Sequence, residues 1–280
     1  MNTPPPPTDE PFTEADVIAS LQHADSLRSD ARYAESEAVF RELLPVCREV
    51  CGPTSELTRA VLNNWAVLYK YMGKFDDGMR LYHEALQLES EANGGESEAA
   101  ATIYHNLGGI LHAQRRYAEA EEPARKSVEI RARLLGAEHV RVAADEAALA
   151  SILVGLKKYD EAAALYERSH AVFLREHGPE HYEIAVSFNN QAALHQARGH
   201  LDEAWRCYEQ SLALKEKLQG RDHVDVAITL NNLASVHVQQ GRLRDAAAFY
   251  ERALRIFEDK LPPEHPSIAI CRENLADCRA

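Results

Sequence analysis

A period of 42 residues runs through almost the whole chain and limits what it can fold into. A large side chain recurs at this interval without insertion or deletion, as Tyr33, Phe75, Tyr117, Tyr159, Leu201 and Leu243. Self-similarity at a fixed period of about 20–50 residues is typical of architectures built by stacking one supersecondary unit. The sequence therefore predicts six copies of one unit.

Each of these large residues begins a helical stripe. Three positions later comes a small residue, and four beyond that comes a position that is aromatic in all copies but one. The small residues are Ser36, Gly78, Ala120, Ala162, Ala204 and Ala246, and the later position holds Phe40, Tyr82, Ala124, Tyr166, Tyr208 and Tyr250. Residues three and four apart share a helix face. A small residue there lets a neighbouring helix approach closely while the larger residue fills the space around it.

A second helical stripe lies upstream in each unit, as in Leu62, Trp65, Ala66 and Tyr69, so each unit is predicted to be a pair of helices. Glycines such as Gly73 mark the chain between the two helices, where a left-handed backbone is favoured. A helix pair cannot bury both its apolar faces alone. The pairs must therefore stack into an all-α solenoid with one continuous core.

The run Leu-Asn-Asn-Leu-Ala at 230–234, followed by Gly241 and the run at 245–254, resembles tetratricopeptide repeats (TPR), and in particular the 42-residue repeats of kinesin light chains. The segments 218–227 and 261–269 are similar to the linkers between repeats in that family. The resemblance covers about residues 17–280. It implies a right-handed α-α superhelix of six helix-turn-helix repeats and a C-terminal capping helix.

This resemblance gives the expected domain organisation. We expect a disordered, Pro-rich tail over 1–12 and a TPR solenoid over 13–280. The repeats are placed at about 17–58, 59–100, 101–142, 143–184, 185–226 and 227–268, and the cap at 269–280.

Composition restricts the partners of such a solenoid. Asp and Glu number 44 against 31 Lys and Arg, and the resulting net charge of −13 repels nucleic acid and anionic membranes. No apolar run approaches the roughly 18 residues of a membrane-spanning helix. The five cysteines form no CxxC pair and are expected to be reduced thiols. We therefore expect a cytoplasmic protein that binds neither nucleic acid nor membrane.

Asparagines recur on the first helices at the same 42-residue interval. In TPR solenoids the first helices line the concave groove, and asparagines at the matching place hold bound peptides. The resemblance therefore implies a peptide-binding site formed by these asparagines, and Lys70, His105 and His112 are expected on the same face from their positions on the first helices. The candidates are Asn63, Asn64, Lys70, His105, Asn106, His112, Asn189, Asn190, Asn231, Asn232 and Asn274. An asparagine inside a helix costs about half a kcal/mol relative to alanine, so its repetition needs a reason. The alternative is that each amide bonds an adjacent helix and sets the repeat spacing.

The expected groove differs along its length. Arg28 and Lys70 lie on early helices, whereas Glu273 and Asp277 lie on the last, so an acidic part of a peptide is expected near Lys70 and a basic part near Glu273. The fourth repeat has Ala147 and Ala148 in place of asparagines, which indicates a wider or more apolar pocket there.

The histidines do not indicate a metal site. His139, His181, His223 and His265 lie a whole repeat apart, just before first helices, and are predicted to cap them or to bond the preceding loop. His195 and His237 are predicted to pack against second helices. No short hydrolase, nucleotide or dinucleotide motif occurs. We therefore expect no enzyme, no cofactor and no metal.

The sequence thus predicts a non-catalytic protein-protein interaction module, an adaptor or scaffold that binds a peptide segment or partner helix in its groove. One alternative is a small-molecule receptor or enzyme-like pocket centred on the third and fourth repeats. A further expectation is self-association through the terminal repeats, at the end that carries Cys271.

Overall fold

Helix pairs follow one another along the chain at the predicted interval. The computed structural model describes residues 12–263 and 265–280, and this part of the chain contains helices and no strand. The first helices are α1 (Glu14–Ser29), α3 (Glu56–Tyr71), α5 (Glu98–Ala113), α7 (Val140–Gly155), α9 (Tyr182–Ala197), α11 (Val224–Gln239) and the final α13 (Pro266–Arg279). The second helices are α2 (Tyr33–Val50), α4 (Phe75–Asn93), α6 (Tyr117–Leu135), α8 (Tyr159–His177), α10 (Leu201–Gln219) and α12 (Leu243–Lys260).

The six large residues that were predicted to open second helices are the first residues of α2, α4, α6, α8, α10 and α12. The all-α repeat class is confirmed. The predicted tail over 1–12 lies outside the described residues except for Phe12, which is exposed.

The chain divides into two compact units with the bounds Met1–Ile110 (unit 1) and Leu111–Ala280 (unit 2). In unit 1, α1 packs on α2 and α3, and α3 packs on α4. In unit 2, each helix from α6 to α12 packs against the next, up to α13, and α7 also contacts α9. A single solenoid over 13–280 remains a prediction.

The six small residues of the second helices are all buried, and Gly78 shows a close contact between helices. A Cβ atom built on Gly78 would lie 2.8 Å from Cδ1 of Ile110 and 3.2 Å from the carbonyl oxygen of Ala66, so even an alanine there would displace a neighbour. The residues four positions on are also buried, and Phe40 and Tyr82 are fully so. The predicted large-beside-small packing is confirmed.

The turn inside each helix pair places one residue in the left-handed region. Gly73, Gly199 and Gly241 have φ values of 71°, 82° and 74°, but the equivalent positions in the other pairs hold Ala31, Arg115 and Lys157 with φ of 58–61°. A side chain in this region costs about 1–2 kcal/mol. The turn geometry is therefore imposed by the packing of the two helices, and glycine is not required for it.

Histidine caps four consecutive first helices of unit 2. Nδ1 of His139, His181, His223 and His265 accepts the backbone N–H two residues later, at N–N distances of 3.1, 3.3, 3.2 and 3.2 Å. Each bond satisfies one of the N–H groups that a helix start leaves without an intrahelical acceptor. The predicted capping role is confirmed.

Charged side chains are buried at one repeated position of the second helices. Glu89 is 0% exposed, Arg131 3% and Lys215 4%. Glu89 forms an ion pair with Arg59 at 2.5 Å and accepts hydrogen bonds from Asn93 and Ser97. Nε of Arg131 lies 2.6 Å from Oδ2 of Asp145, and Nζ of Lys215 donates to Thr229 at 2.9 Å. Each of these positions therefore has its own polar partners.

The first prediction concerns the buried pair of unit 1. Arg59→Met should lower the free energy of unfolding by about 3–5 kcal/mol, because Glu89 would keep a buried charge without its cationic partner. The double variant Arg59→Met/Glu89→Met should recover much of this loss. Urea unfolding followed by circular dichroism measures both, and a single variant within about 1 kcal/mol of the parent would contradict the prediction.

The second prediction concerns the cap of α13. Burial lowers the pKa of His265, so the folded chain favours the neutral ring whose Nδ1 can accept a hydrogen bond. The cap is then complete above the ordinary histidine pKa of about 6.5 and is lost as the pH falls through the lower folded pKa. The free energy of unfolding should fall more below this pH for the parent than for His265→Asn, whose amide caps without titrating. Parallel pH profiles in urea unfolding would count against this role.

Candidate functional site

The candidate asparagines lie on one side of the first helices and are half-buried. This surface is called the first-helix face, and each unit has its own. In unit 1 it carries Asn63, Asn64, Lys70, His105 and Asn106. In unit 2 it carries His112, Asn189, Asn190, Asn231, Asn232 and Asn274.

The amides of unit 1 form a directed chain of hydrogen bonds. Nδ2 of Asn106 donates to Oδ1 of Asn63 at 2.9 Å, and Nδ2 of Asn63 donates to Oδ1 of Asn64 at 3.0 Å. Asn64 in turn donates to Oδ2 of Asp25 at 2.8 Å. Three first helices are thus joined by polar side chains, and the chain of donors ends on a carboxylate. Each primary amide keeps a second N–H that these bonds do not use.

Two cationic side chains lie beside this series of hydrogen bonds. The Arg28 guanidinium pairs with Asp25 at 3.4 Å and lies 5.5 Å from the centre of the Tyr71 ring. Lys70 is exposed to solvent, yet the surrounding protein desolvates its ammonium and lowers its pKa. No hydrogen bond or ion pair joins the Lys70 ammonium to another described residue. An anionic group would therefore gain a charged partner here at little cost in broken contacts.

Unit 2 repeats part of the amide pattern. Nδ2 of Asn232 donates to Oδ1 of Asn189 at 3.3 Å, the same helix-to-helix step as the bond from Asn106 to Asn63. Further along the same two helices, Gln196 donates to Ser235 at 3.1 Å. Across the described part of unit 2, the side chains of Asn190, Asn231 and Asn274 make no hydrogen bond.

The fourth repeat interrupts the pattern. Ala147 and Ala148 occupy the amide positions of α7 and are half-buried. At the end of this helix the ring of Tyr117 lies within 2.6 Å of where a Cβ of Gly155 would be, so only glycine fits. His112 meets the same ring edge-on, with 5.4 Å between the ring centres.

His237 packs against a second helix as predicted, and His195 lies near the residue that precedes one. His237 is buried and stacks on Phe249 of α12 with 5.4 Å between ring centres, and His195 lies 6.2 Å from His200 near the start of α10. Burial lowers the pKa of both His195 and His237. These two rings belong to the packing between helices.

The sequence did not indicate every property of this surface. Asp25 accepts a hydrogen bond from Asn64 of the next first helix, and this acceptor role follows only from the structure. Ile228 and Ile270 are 41% and 54% exposed on the same helices. They also follow the 42-residue period, and their exposure is the feature that only the structure provides.

Among residues 12–263 and 265–280, no three His, Cys, Asp or Glu side chains come together as metal ligands. None of the helices in this range is both long and apolar enough to cross a membrane. The five cysteines form no disulfide in this structure.

Solved structures with the same fold include repeat proteins of several kinds. BtubC (BKLC) from P. vanneervenii is 24% identical, with a TM-score of 0.56 over 90% of this chain and 92% of that one. A Podosopora anserina protein described as a kinesin light chain with nearly identical TPR-like repeats is 20% identical, with a TM-score of 0.60 over 76% and 99%. A chain of the APC/C hetero-tetramer Cut9-Hcn1 is 13% identical, with a TM-score of 0.61 over 94% and 43%. At these identities the likeness shows the fold alone.

Comparison with curated proteins gives no match. The family profile described as "Tetratricopeptide repeat" matches residues 16–77, 57–133, 140–217, 183–259 and 225–280. These matches together span most of the sequence, in agreement with the helix pairs and their 42-residue spacing. The chain belongs to the tetratricopeptide repeat family.

Proposed function

We propose that this TPR protein is a non-catalytic interaction module that binds a peptide segment or partner helix of another protein on its first-helix faces. The observation that carries the proposal is the half-exposed asparagine set, in which Asn190, Asn231 and Asn274 make no hydrogen bond within the described residues. A cytoplasmic location is part of the same proposal.

The amides suit this role because they serve two purposes. One N–H of Asn64, Asn106 and Asn232 bonds the preceding first helix and supports the repeat spacing. The second N–H, together with an oxygen that can accept two bonds, can pair with the N–H and C=O groups of a peptide backbone. The asparagines can therefore both set the repeat spacing and contact a peptide. Asn64, Asn106 and Asn232 support the first role, and Asn190, Asn231 and Asn274, which make no hydrogen bond within the described residues, support the second.

Unit 1 is proposed to receive an acidic part of the partner. Lys70 is exposed and unpaired among the described residues, and its desolvated ammonium is stabilised when an anion approaches. Arg28 already shares its charge with Asp25. Lys70 is therefore the stronger anion contact of the two.

Two other roles from the sequence remain separate proposals. A small molecule would use the fourth repeat, where Ala147 and Ala148 leave out the amides, and crystals soaked with the ligand would then show density there. Self-association at the C-terminal end would have to use exposed side chains such as Ile270, because Cys271 is fully buried. Light scattering measures this directly.

The third prediction separates binding from stability. Asn190→Ala/Asn274→Ala should weaken the captured partner about tenfold and leave the urea midpoint unchanged, since neither amide bonds a described residue. The partner is captured from the native host with the full chain, identified by mass spectrometry and titrated by calorimetry. Gln210→Ala, which removes an exposed amide from a second helix, is the matched control. Equal affinity for the double variant and the parent would refute amide contact with the partner.

The fourth prediction concerns charge in unit 1. Lys70→Glu should weaken the binding of a peptide of alternating glutamate and serine about tenfold at low ionic strength, with a smaller effect at high salt. Arg244→Glu makes the same charge change on an exposed part of a second helix. A calorimetric titration in which the two variants bind alike would place the acidic contact elsewhere.

A further inference from the structure

Unit 2 carries an exposed aliphatic stripe beside its amides. Val186, Ile228 and Ile270 lie 42 residues apart on α9, α11 and α13, each one helical turn before an asparagine. Ile228 is 41% and Ile270 54% exposed, and Val186 is half-buried. Residues four apart share a helix face, so the stripe and the amides of Asn190, Asn232 and Asn274 lie side by side. These three aliphatic residues are called the aliphatic stripe.

The helices that carry the stripe are held together. Two side-chain bonds, from Asn232 to Asn189 at 3.3 Å and from Gln196 to Ser235 at 3.1 Å, join α9 to α11. Side chains of α11, α12 and α13 share one core cluster that includes Leu230 and Leu275. Helices in side-chain contact are about 8–10 Å apart, and the two bonds between α9 and α11 place these helices in that range. Because α12 packs against both α11 and α13, the 42-residue repeat continues the stripe to Ile270 at a similar interval.

The end of the stripe on α13 is acidic. Glu273 and Asp277 are exposed one and two turns after Ile270, and neither carboxylate pairs with a described residue. The basic side chains of α13 are already bonded, since Arg272 pairs with Glu258 at 2.7 Å and Arg279 with Glu251 at 2.6 Å. The charge left to a partner at this end is negative.

We propose that the first-helix face of unit 2 binds an extended segment of a partner protein that has aliphatic side chains at every third residue and basic residues at the end over α13. This inference rests on the proposed function and names its partner class. An extended segment has free backbone N–H and C=O groups for the amides, whereas those of a helix interior are already bonded. A polyproline II segment advances about 9 Å in three residues, which matches the interval of the stripe.

The test uses the full chain and synthetic peptides in fluorescence polarisation. The probe has leucine at every third position, serine between, and two arginines at one end. It should bind at least tenfold tighter than an isomer of the same composition with leucine at every second position, and tighter than a version with glutamates in place of the arginines.

Variants of the chain locate the contact. Ile228→Ser/Ile270→Ser should weaken the probe about tenfold, while Leu174→Ser, which removes a 43% exposed leucine of α8, should have no effect. Glu273→Gln/Asp277→Asn should weaken it and flatten its salt dependence. All these positions are exposed, so circular dichroism should stay unchanged.

Three outcomes would overturn the inference. Equal affinity for the two peptides that differ in leucine spacing would show that the spacing of every third residue is not recognised. Unchanged affinity in the isoleucine variant would show that the aliphatic stripe does not contact the peptide. Light scattering that shows a dimer of the parent and a monomer of the isoleucine variant would assign the stripe to a second copy of the chain. In each case the proposed function is judged apart, by whether Asn190→Ala/Asn274→Ala weakens the captured partner.

Discussion

The structure depends on close helix contact at one small residue in each repeat. Gly78 shows the constraint most sharply, because a single added methyl group would lie 2.8 Å from Ile110. Where the residue is alanine or serine it is equally buried. A larger side chain at this position would move a second helix away from its neighbours. The turn between the packed helices keeps its left-handed backbone even at Ala31, Arg115 and Lys157.

Polar side chains add specific contacts to the packing of apolar side chains between the helices. The buried partners of Glu89, Arg131 and Lys215 differ from one another, so a helix placed in the wrong repeat would leave charges unmatched. The amides of the first helices also connect helices, but they lie near the surface. Those of Asn64, Asn106 and Asn232 join neighbouring helices. The bonding capacity that they do not use, with that of Asn190, Asn231 and Asn274, is the basis of the proposed peptide-binding surface.

The fold was predictable because its signal is repeated. The 42-residue period alone located the first residue of each second helix. Because every unit has the same length, an error in one helix boundary does not shift the boundaries predicted for the next unit. The histidine caps were predictable for the same reason. The site was less accessible: sequence placed the asparagines on one side of a helix, but not the acceptor role of Asp25 or the exposure of Ile228 and Ile270. The hydrogen bonds and the exposed area of a side chain depend on the helices of neighbouring repeats, so the sequence of one repeat does not determine them.

We propose that the first-helix amides are the partner-binding surface of this protein. The side-chain amide resonances of the full chain, labelled with ¹⁵N at asparagine and assigned by substitution, can be followed during titration with a captured partner. The signals of Asn190, Asn231 and Asn274 should shift in step with binding, while that of Asn93, which bonds the buried Glu89, should stay in place. A saturating titration that leaves every first-helix amide unchanged would contradict it.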